Sequence, residues 1–335
     1  MEPEPTPEQE PKPPSRGIRV LVIVLLVQLL LAGVLIYFAL AGWPWVPNAP
    51  ANTAAPAVAK RFLAGQPGDG VPTPRVNNFD RAAAFALLRR QVELYRWRPA
   101  GSASSRRLAK DLARRLPAGK LEPFTDGKLK LNNVVGVIPG RLPAIVVGAH
   151  YDVEARPKGF LGANDGAAGT AVVVELARAL AARPLADSRE LRFVLFDGEE
   201  QPAGSSDFYR DGMRGSRAYA RRHSNQIASV VLLDYVANRG LRIPREQSSD
   251  VGLWAQLRAA AQSSGTGASF PSGVGRAVYD DHTPFLERGI PAIDLIDFGY
   301  PWRDTLADNL TKVAPRALDV TGETLYTLLD RLRRG

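Results

Sequence analysis

Residues 144–165 of this sequence read AIVVGAHYDVEARPKGFLGAND. The apolar run at 144–148 is typical of a buried strand, and this strand ends at His150 and Asp152. Asp165 follows fifteen residues after His150, in a Gly- and Ala-rich turn that opens a helix. An open α/β sheet builds its sites in this way, where the carboxyl end of a strand leads through a loop into a helix. The stretch therefore predicts an α/β fold with a polar site at the tip of this strand.

The alternation of strand and helix continues along the chain. Strands are predicted at residues 133–138, 144–149, 191–196, 230–233 and 291–296. Helical periodicity is found at residues 79–95, 106–116, 166–182, 215–222, 251–263 and 317–332. This order of elements indicates an α/β protein with a largely parallel sheet that helices cover on both faces.

Composition limits the classes of function. The 335 residues carry a net charge of +9, and 45% of them are apolar and 23% charged, as in an ordinary globular protein. The basic residues are spread along the chain without a contiguous patch, so no nucleic-acid partner is expected. The sequence contains no cysteine, which excludes disulfides and thiolate metal sites. Any metal must therefore be held by histidine and carboxylate side chains.

Three segments precede the predicted folded domain at 77–335. Residues 1–17 are rich in Pro and Glu and are expected to form a disordered cytoplasmic tail. Residues 18–41 are a predicted transmembrane anchor, and residues 42–76 a Pro- and Ala-rich linker. The uncharged part of the anchor would span about 32 Å as a helix, against about 30 Å of bilayer hydrocarbon.

Basic residues beside this apolar segment predict its orientation. Arg16 and Arg19 precede it, and the first basic residue after it is Lys60. By the positive-inside rule the tail lies in the cytoplasm and the folded domain on the extracytoplasmic side of the membrane. A single-pass membrane protein is therefore expected. A cleaved secretory signal is the alternative, because residues 39–41 read Ala-Leu-Ala.

Acidic residues follow the carboxyl ends of several predicted strands. Besides His150 and Asp152, they are the DGEE run at 197–200, Asp234 and Asp297. Carboxylates gathered at one sheet edge repel each other unless cations lie among them, so the pattern predicts a metal site. Because alternate side chains share a face of a strand, Asp152 is expected to approach the ring nitrogen of His150 that does not face the metal.

Two further features indicate catalysis. In the pair Glu199-Glu200, neighbouring side chains diverge, so one carboxylate can bind metal while the other acts as a general base. His282 lies in the polar cluster YDDHTPF at 279–285, ahead of an apolar strand. His223, in contrast, follows two arginines in a polar helix and is expected at the surface.

The ordered motifs of this chain resemble those of one known family. They are HYD, GAND-G, FDGEE, LLD, DDHTPFLERGIP and PWRDTLADN. From about Phe79 to the C-terminus, the chain is similar to the zinc aminopeptidases of metallopeptidase clan MH, a family that also contains the glutaminyl-peptide cyclotransferases. The resemblance implies a mixed, mostly parallel central sheet flanked by helices, and a metallopeptidase-like catalytic domain at 77–335.

The resemblance also implies roles for individual residues. Asp165 matches the carboxylate that bridges two metals, or binds the single zinc of the cyclases, and Glu200 matches the next ligand. Glu199 matches the general base, while His150 and Asp234 match the ligands of a second metal. The other predicted catalytic residues are Asp152, His282 and Asp280, of which Asp280 matches a polar active-site position of the cyclases. One or two Zn²⁺ ions are the expected cofactor.

One position departs from the family pattern. Where the family has Trp-His-Thr, with the His on the metal, this chain has Trp302-Arg303-Asp304-Thr305. Carboxylate oxygen is an acceptable zinc ligand, so Asp304 is predicted to bind the metal in place of the His. Such a site would be more anionic and better suited to other divalent ions. The alternative is a damaged site in a non-catalytic relative.

The leading functional hypothesis is a metal-dependent aminopeptidase-type hydrolase that removes amino-terminal residues from peptides. Glu199 would take a proton from the attacking water and deliver it to the departing amine. The expected partners are therefore a peptide with a free amino terminus and the membrane, and the oligomeric state is left open. A glutaminyl-peptide cyclotransferase using the same site, and a scaffold protein without catalysis, remain as alternatives.

Overall fold

The computed structural model describes residues 67–335 and, upstream of them, residue 25, residues 27–28 and residues 30–32. Six strands form one sheet in the order β1-β2-β4-β3-β5-β6. They are β1 (Lys120–Asp126), β2 (Leu129–Ile138), β3 (Arg141–His150), β4 (Arg189–Phe196), β5 (Ile227–Asp234) and β6 (Ala292–Ile296). The strands β4, β3, β5 and β6 run parallel, and β2 pairs antiparallel with both β1 and β4.

Helices connect these strands and cover the sheet. Within residues 67–335 they are α1 (Arg81–Arg90), α2 (Ala103–Arg115), α3 (Ala167–Ala181), α4 (Phe208–Asp211), α5 (Arg214–His223), α6 (Val251–Ser264), α7 (Thr283–Leu286) and α8 (Pro315–Leu332). Side-chain caps mark several helix starts, as where the Asp80 carboxylate accepts hydrogen bonds from the backbone N–H groups of Ala82 and Ala83. Pro315 begins α8, where a missing N–H costs no hydrogen bond.

The strand β3 is buried on both of its faces. Ile145 and Val147 pack into the larger core, which contains side chains from α1, α3, α6 and α8. Val146, on the opposite face, packs into a second core with Tyr219 of α5 and Phe285 of α7. Burial on both faces explains why this strand reads as a continuous apolar run rather than an alternating one.

The predicted fold class is confirmed, with one strand added. The α/β fold, the mostly parallel sheet and the flanking helices all occur as expected. The strand β1 was not predicted, because its sequence KLEPFTD lacks an apolar alternation and contains a proline. As an edge strand, β1 pairs only with β2 and tolerates Pro123, which cannot donate a ladder hydrogen bond.

The predicted membrane localisation is corrected. A bilayer-spanning helix needs about 20 consecutive apolar residues, and the part of the chain that the structure describes contains no helix that is long and apolar enough. Most of the predicted anchor at 18–41 lies outside the described residues, as do the tail at 1–17 and most of the linker at 42–76. The membrane partner and the extracytoplasmic placement of the domain are therefore not retained.

Candidate metal centre

The site lies where three neighbouring parallel strands end. His150 is the last residue of β3, and Asp234 is the last residue of β5. Gly148 pairs with Leu232 in the ladder between these strands, so the two strand ends lie side by side. On the other side of β3, His150 pairs with Phe196 at the end of β4, and the DGEE turn follows directly. The sheet register thus brings three of the predicted motifs to one edge.

The imidazole of His150 lies at the centre of the acidic side chains. Its Nε2 atom is 3.2 Å from Asp165 Oδ1 and 3.4 Å from Asp234 Oδ1. The ligand atoms of these three residues all lie within 4.8 Å of one another, and so do those of His150, Glu199 and Glu200. All five residues are buried. The structure therefore brings together four of the five predicted metal ligands and the predicted general base.

Asp152 holds the DGEE turn in place. Its Oδ1 atom accepts a hydrogen bond from the backbone N–H of Glu199 at 3.2 Å, and its Oδ2 atom accepts one from Glu200 at 3.3 Å. The Asp152 carboxylate is also 3.7 Å from Nδ1 of His150. This distance agrees with the predicted approach to the second ring nitrogen, but it is too long for a hydrogen bond.

The turn that carries Asp165 depends on close backbone packing. Gly166 has φ 81°, and a Cβ atom there would lie 2.7 Å from the carbonyl oxygen of Asp152 and 3.1 Å from the His150 ring. A side chain at this position would therefore displace the metal-facing imidazole. The buried carboxylate of Asp308 accepts hydrogen bonds from the backbone N–H groups of Asn164 and Asp165, which fixes the turn from below.

Burial dominates the electrostatics of this group. Loss of water, and then the charge of neighbouring carboxylates, raises the pKa of Glu200 well above its usual value. Burial likewise raises the pKa values of Glu199 and Asp234, although His150 partly opposes this effect in both. For His150, burial alone would lower the pKa, but Glu199 and the other surrounding carboxylates outweigh it and raise the pKa well above its ordinary value. An excess of negative charge is thus enclosed at the sheet edge.

These residues fit a divalent cation. One imidazole and several carboxylates are the donor set that zinc and other divalent metals accept in proteins without thiolates. Nδ1 of His150 is buried without a hydrogen-bond partner among the described residues, so the ring is held by packing and by its charged neighbours. A cation would offset the mutual repulsion of the carboxylates, since no lysine or arginine among the described residues forms an ion pair with the carboxylates of either ligand group.

Asp304 belongs to neither ligand group. Its Oδ1 atom is 3.1 Å from the hydroxyl of Tyr235, and the same hydroxyl is 2.8 Å from Oδ2 of Asp165. Asp304 therefore contacts the predicted metal-bridging carboxylate through a tyrosine rather than directly. It is the predicted ligand that the structure leaves outside the cluster.

Two of the three residues of the DDH motif, Asp280 and His282, occupy different positions. Asp280 lines the same cavity as Glu199, Glu200 and Asp234. His282 is fully buried behind it, with Nε2 at 3.0 Å from the Ser248 hydroxyl and 3.3 Å from a carboxylate oxygen of Glu246. Asp280 is therefore placed at the cavity, whereas His282 is not among the residues that line it, and the catalytic roles of both stay predictions.

The cavity above the cluster has a volume of about 460 Å³. Sequence reasoning missed Tyr235 and Glu154 in its lining. Burial, with Asp304 and Asp165 nearby, raises the pKa of Glu154 to about 7. Tyr235 directly follows a predicted ligand and could have been found from that position, but no local signal marks Glu154. A larger groove of about 840 Å³ lies at the β1–β2 edge, and its lining contains no histidine or carboxylate.

Arg98 is a further residue that the sequence did not reveal. Its guanidinium is fully buried and donates hydrogen bonds to the backbone carbonyls of Tyr151, Leu161 and Gly162, at 2.9, 2.7 and 3.2 Å. Burial lowers the pKa of Arg98 to about 10, and nearby carboxylates, first Asp165, oppose that shift. The side chain thus ties both ends of the loop between β3 and Asp165 together.

Comparison with known sequences identifies the family. The profile described as peptidase family M28 matches residues 133–329. The chain is 30% identical over 233 residues to a glutaminyl-peptide cyclotransferase of Boiga dendrophila, and 29% identical over 215 residues to aminopeptidase YwaD of Bacillus subtilis. The first match covers 57% of this chain and 62% of the relative, and the second covers 61% and 45%. The chain therefore spans less than two thirds of the length of these curated relatives.

Solved structures share the same architecture. A glutaminyl cyclase from an Acidobacteriales bacterium superimposes with a TM-score of 0.70 at 28% identity, over 77% of this chain and 96% of that one. A Zn-dependent exopeptidase from Parabacteroides distasonis gives a TM-score of 0.67 at 22% identity, over 78% of this chain and 100% of that one. The second similarity concerns the fold alone.

Proposed function

Because the chain belongs to peptidase family M28, we propose that it acts on the amino-terminal residue of peptides, as a zinc-dependent aminopeptidase. The observation that carries this proposal is the buried cluster around His150. In it, Asp165 and Asp234 face one ring nitrogen, and Glu199 lies 3.9 Å from the other. His150, Asp165, Asp234 and Glu200 would hold one or two Zn²⁺ ions, or another divalent cation, and Glu199 would then be free for proton transfer.

A cation held there would polarise the scissile carbonyl and make a water more acidic. Glu199 accepts the proton of the attacking water and delivers it to the departing amine, which leaves as the amine of the shortened peptide. Its raised pKa suits both halves of this transfer, since burial makes the carboxylate a stronger base than an exposed one. Asp152 holds the backbone of Glu199 during these steps through its 3.2 Å hydrogen bond.

We assign Asp304 and Glu154 a role in binding the amino terminus of the substrate. Both line the cavity outside the two ligand groups, where their carboxylates can pair with the ammonium of a free amino terminus. Asp304, placed where the family pattern has a metal-binding His, would then recognise the substrate rather than the metal. A peptide with a blocked amino terminus should bind weakly for this reason.

Glutaminyl cyclisation is the second candidate, and the similarity to cyclotransferases at 28–30% identity favours it. In that reaction the amino-terminal amine attacks the side-chain amide carbon of a glutaminyl residue, and ammonia leaves. Glu199 would carry the proton from the attacking amine to the departing nitrogen. The same residues therefore serve both reactions, and the substrate panel below separates them.

The test combines metal analysis with a panel of peptides. The purified protein is assayed for bound zinc and then supplied with peptides that begin with Leu, Lys or Gln. Matched N-acetylated peptides serve as the control. Release of the free first amino acid from the unblocked peptides, and not from the acetylated ones, is the expected result.

Each other outcome decides between the alternatives. If the Gln peptides yield pyroglutamyl peptide and no free amino acid, the reaction is cyclisation and not hydrolysis. Absence of both bound divalent metal and turnover would leave only the non-catalytic scaffold.

A further inference from the structure

The wall of the cavity beside the metal cluster carries two arginines on one aromatic ring. Phe298 follows β6, and the guanidinium carbon of Arg303 lies 4.1 Å from the centre of its ring. The guanidinium carbon of Arg276 lies 4.9 Å from the same ring centre. All three side chains line the 460 Å³ cavity together with Asp165, Glu199 and Glu200. The cavity is thus acidic at its floor and basic along one wall.

Neither guanidinium forms a salt bridge with a carboxylate within the described part of the chain, although the charge of Arg303 acts on nearby Asp304. No hydrogen bond or ion pair joins the side chain of Arg276 or Arg303 to another described residue. Cation–π contact with Phe298 holds both guanidinium groups beside the same ring, and their like charges repel each other. A planar anion between them would accept hydrogen bonds from both, as carboxylates commonly do from arginine.

A second cavity behind Phe298 strengthens the basic character of this wall. It has a volume of about 300 Å³, shares Arg276 and Arg303 with the first cavity, and adds Arg242. Its two carboxylates already accept hydrogen bonds from the protein. Asp297 accepts from Asn238 and from the backbone of Arg242, and Glu246 from backbone N–H groups of Ser248, Ser249 and Val278. With three arginines against two carboxylates, the lining of this second cavity still carries a net positive formal charge.

We propose that Arg276 and Arg303 bind a carboxylate of the substrate, so that the preferred peptides carry a negative charge close to the amino terminus. This inference rests on the proposed function, because Asp304 and Glu154 must receive the amino-terminal ammonium at the same time. The carboxylate can come from an acidic side chain at the second or third residue, or from the free carboxyl terminus of a short peptide. Both sources present the same planar anion to the arginine pair.

The test uses peptides that differ only in the carboxylate. The first residue X is the one that gives turnover in the panel above. The substrates are X-Ala-Ala-amide, X-Ala-Ala with a free carboxyl terminus, X-Glu-Ala-amide and X-Gln-Ala-amide. If the arginine pair binds a carboxylate, kcat/KM should be about 10-fold or more higher for at least one charged peptide than for its neutral partner. Comparison of the two charged peptides identifies the source of the carboxylate.

Variants of the arginines show which residues carry the preference. Arg303→Gln and Arg276→Gln should each reduce the ratio of kcat/KM for the charged peptide to that for its neutral partner, and the double variant should bring this ratio to about 1. Arg303→Lys should keep part of the preference, because the charge remains but the planar guanidinium is lost. Arg183→Gln is the matched control: it removes one charge from an arginine that also lies over a ring, that of Tyr326 at 5.7 Å, and Arg183 is not among the residues that line this cavity.

Failure of this inference differs from failure of the proposed function. Equal turnover of charged and neutral peptides by the wild-type protein, or a preference that survives in the double variant, would overturn the arginine site and leave the enzyme intact. If no peptide is turned over, X is set to Leu, and the dissociation constants of X-Ala-Ala and X-Ala-Ala-amide are measured by calorimetry. Their comparison then tests the arginine site without any catalysis. Tighter binding of the free acid that depends on the arginines supports the site, and equal binding refutes it.

Discussion

Two sets of buried carboxylates in this molecule have opposite surroundings. Asp111, on α2, is largely buried and receives hydrogen bonds from Arg90 at 3.0 Å and Arg114 at 3.1 Å. Burial alone would raise its pKa, but Arg90 and Arg115 outweigh that effect, so the pKa of Asp111 lies below its usual value. Glu199 and Glu200, at the sheet edge, have no arginine partner among the described residues, and burial raises their pKa values.

The difference separates carboxylates that stabilise the fold from carboxylates to which we have assigned a catalytic role as a proposal. Glu122 belongs to the first kind, since His223 at 2.9 Å and Arg222 at 2.8 Å hold its pKa below the usual value against the effect of burial. An acid of this kind is ionised and saturated with donors. The carboxylates of Glu199 and Glu200 are buried without a hydrogen-bond donor among the described residues, which costs stability unless a cation or a substrate supplies the missing positive charge.

The largest effect is expected at Glu199. Glu199→Gln preserves the shape of the side chain but removes its ability to accept a proton. We expect kcat on the best peptide of the panel to fall by about 100- to 10,000-fold, the usual contribution of a general base. The variant should fold and bind metal normally, because His150, Asp165 and Asp234 are unchanged.

Asp111→Asn is the control for this experiment, since it neutralises a buried acid of the other set and should leave kcat unchanged. A Glu199→Gln protein with near wild-type turnover would refute the role of this carboxylate as the base. It would also mean that the carboxylates at the sheet edge and the arginine-paired carboxylates do not differ in function.

The second prediction concerns the response to metal. Zinc at about 100 times its dissociation constant should raise the free energy of unfolding of the wild-type protein by about 2.7 kcal/mol, because only the folded chain presents the site. Asp165→Asn should lose most of this gain, since Asp165 lies 3.2 Å from His150 within the three-residue ligand group. Thermal or denaturant unfolding with zinc and with chelator measures the difference.

Asp111→Asn again provides the comparison, and it should respond to zinc as the wild-type protein does. Equal stabilisation of Asp165→Asn and wild-type protein by zinc would show that the metal, if bound, is held elsewhere. In that case the enclosed acids at the sheet edge would have no cation to offset their repulsion.

The sequence predicted the centre of the site better than its surroundings. His150 and Asp234 follow from strand ends, because the register of parallel strands determines which ends are neighbours, and Asp165 follows from the turn that leads from β3 into α3. Arg98 could not be predicted in this way, since its contacts with Tyr151 and Leu161 depend on how a loop folds back over the sheet. Long-range contacts of this kind leave no periodic signal in the sequence.

The same limit applies to the edge of the fold and to Asp304. The strand β1 has weak local propensity and is stabilised by its pairing with β2, so tertiary context decided its structure. Motif position placed Asp304 on the metal, whereas the structure places Tyr235 between Asp304 and Asp165. A match by position assigns a residue to a neighbourhood, but the side chains around it determine which atom it contacts.

The smallest effect is expected where the carboxylate only stabilises the fold. Asp111→Asn should lower the free energy of unfolding by about 1 kcal/mol at neutral pH, since its arginine partners are partly exposed and can turn to water. This difference in the free energy of unfolding should become smaller as the pH falls. Because the pKa of Asp111 is lower in the folded state, its stabilisation is present above the unfolded pKa of about 3.9 and is lost as the pH falls through the folded value.

Urea unfolding of wild-type and Asp111→Asn proteins between about pH 3 and pH 7 measures this dependence, because the two curves should separate above the unfolded pKa of Asp111 and converge at the acidic end. Glu93→Gln is the matched control, as Glu93 forms an exposed pair with Arg89 at 3.8 Å and should change stability little at any pH. A difference between wild type and Asp111→Asn that grows as the pH falls would mean that Asp111 is destabilised by its burial, like Glu199. The two sets of carboxylates would then differ only in position, and the absence of hydrogen-bond donors would no longer distinguish the functional one.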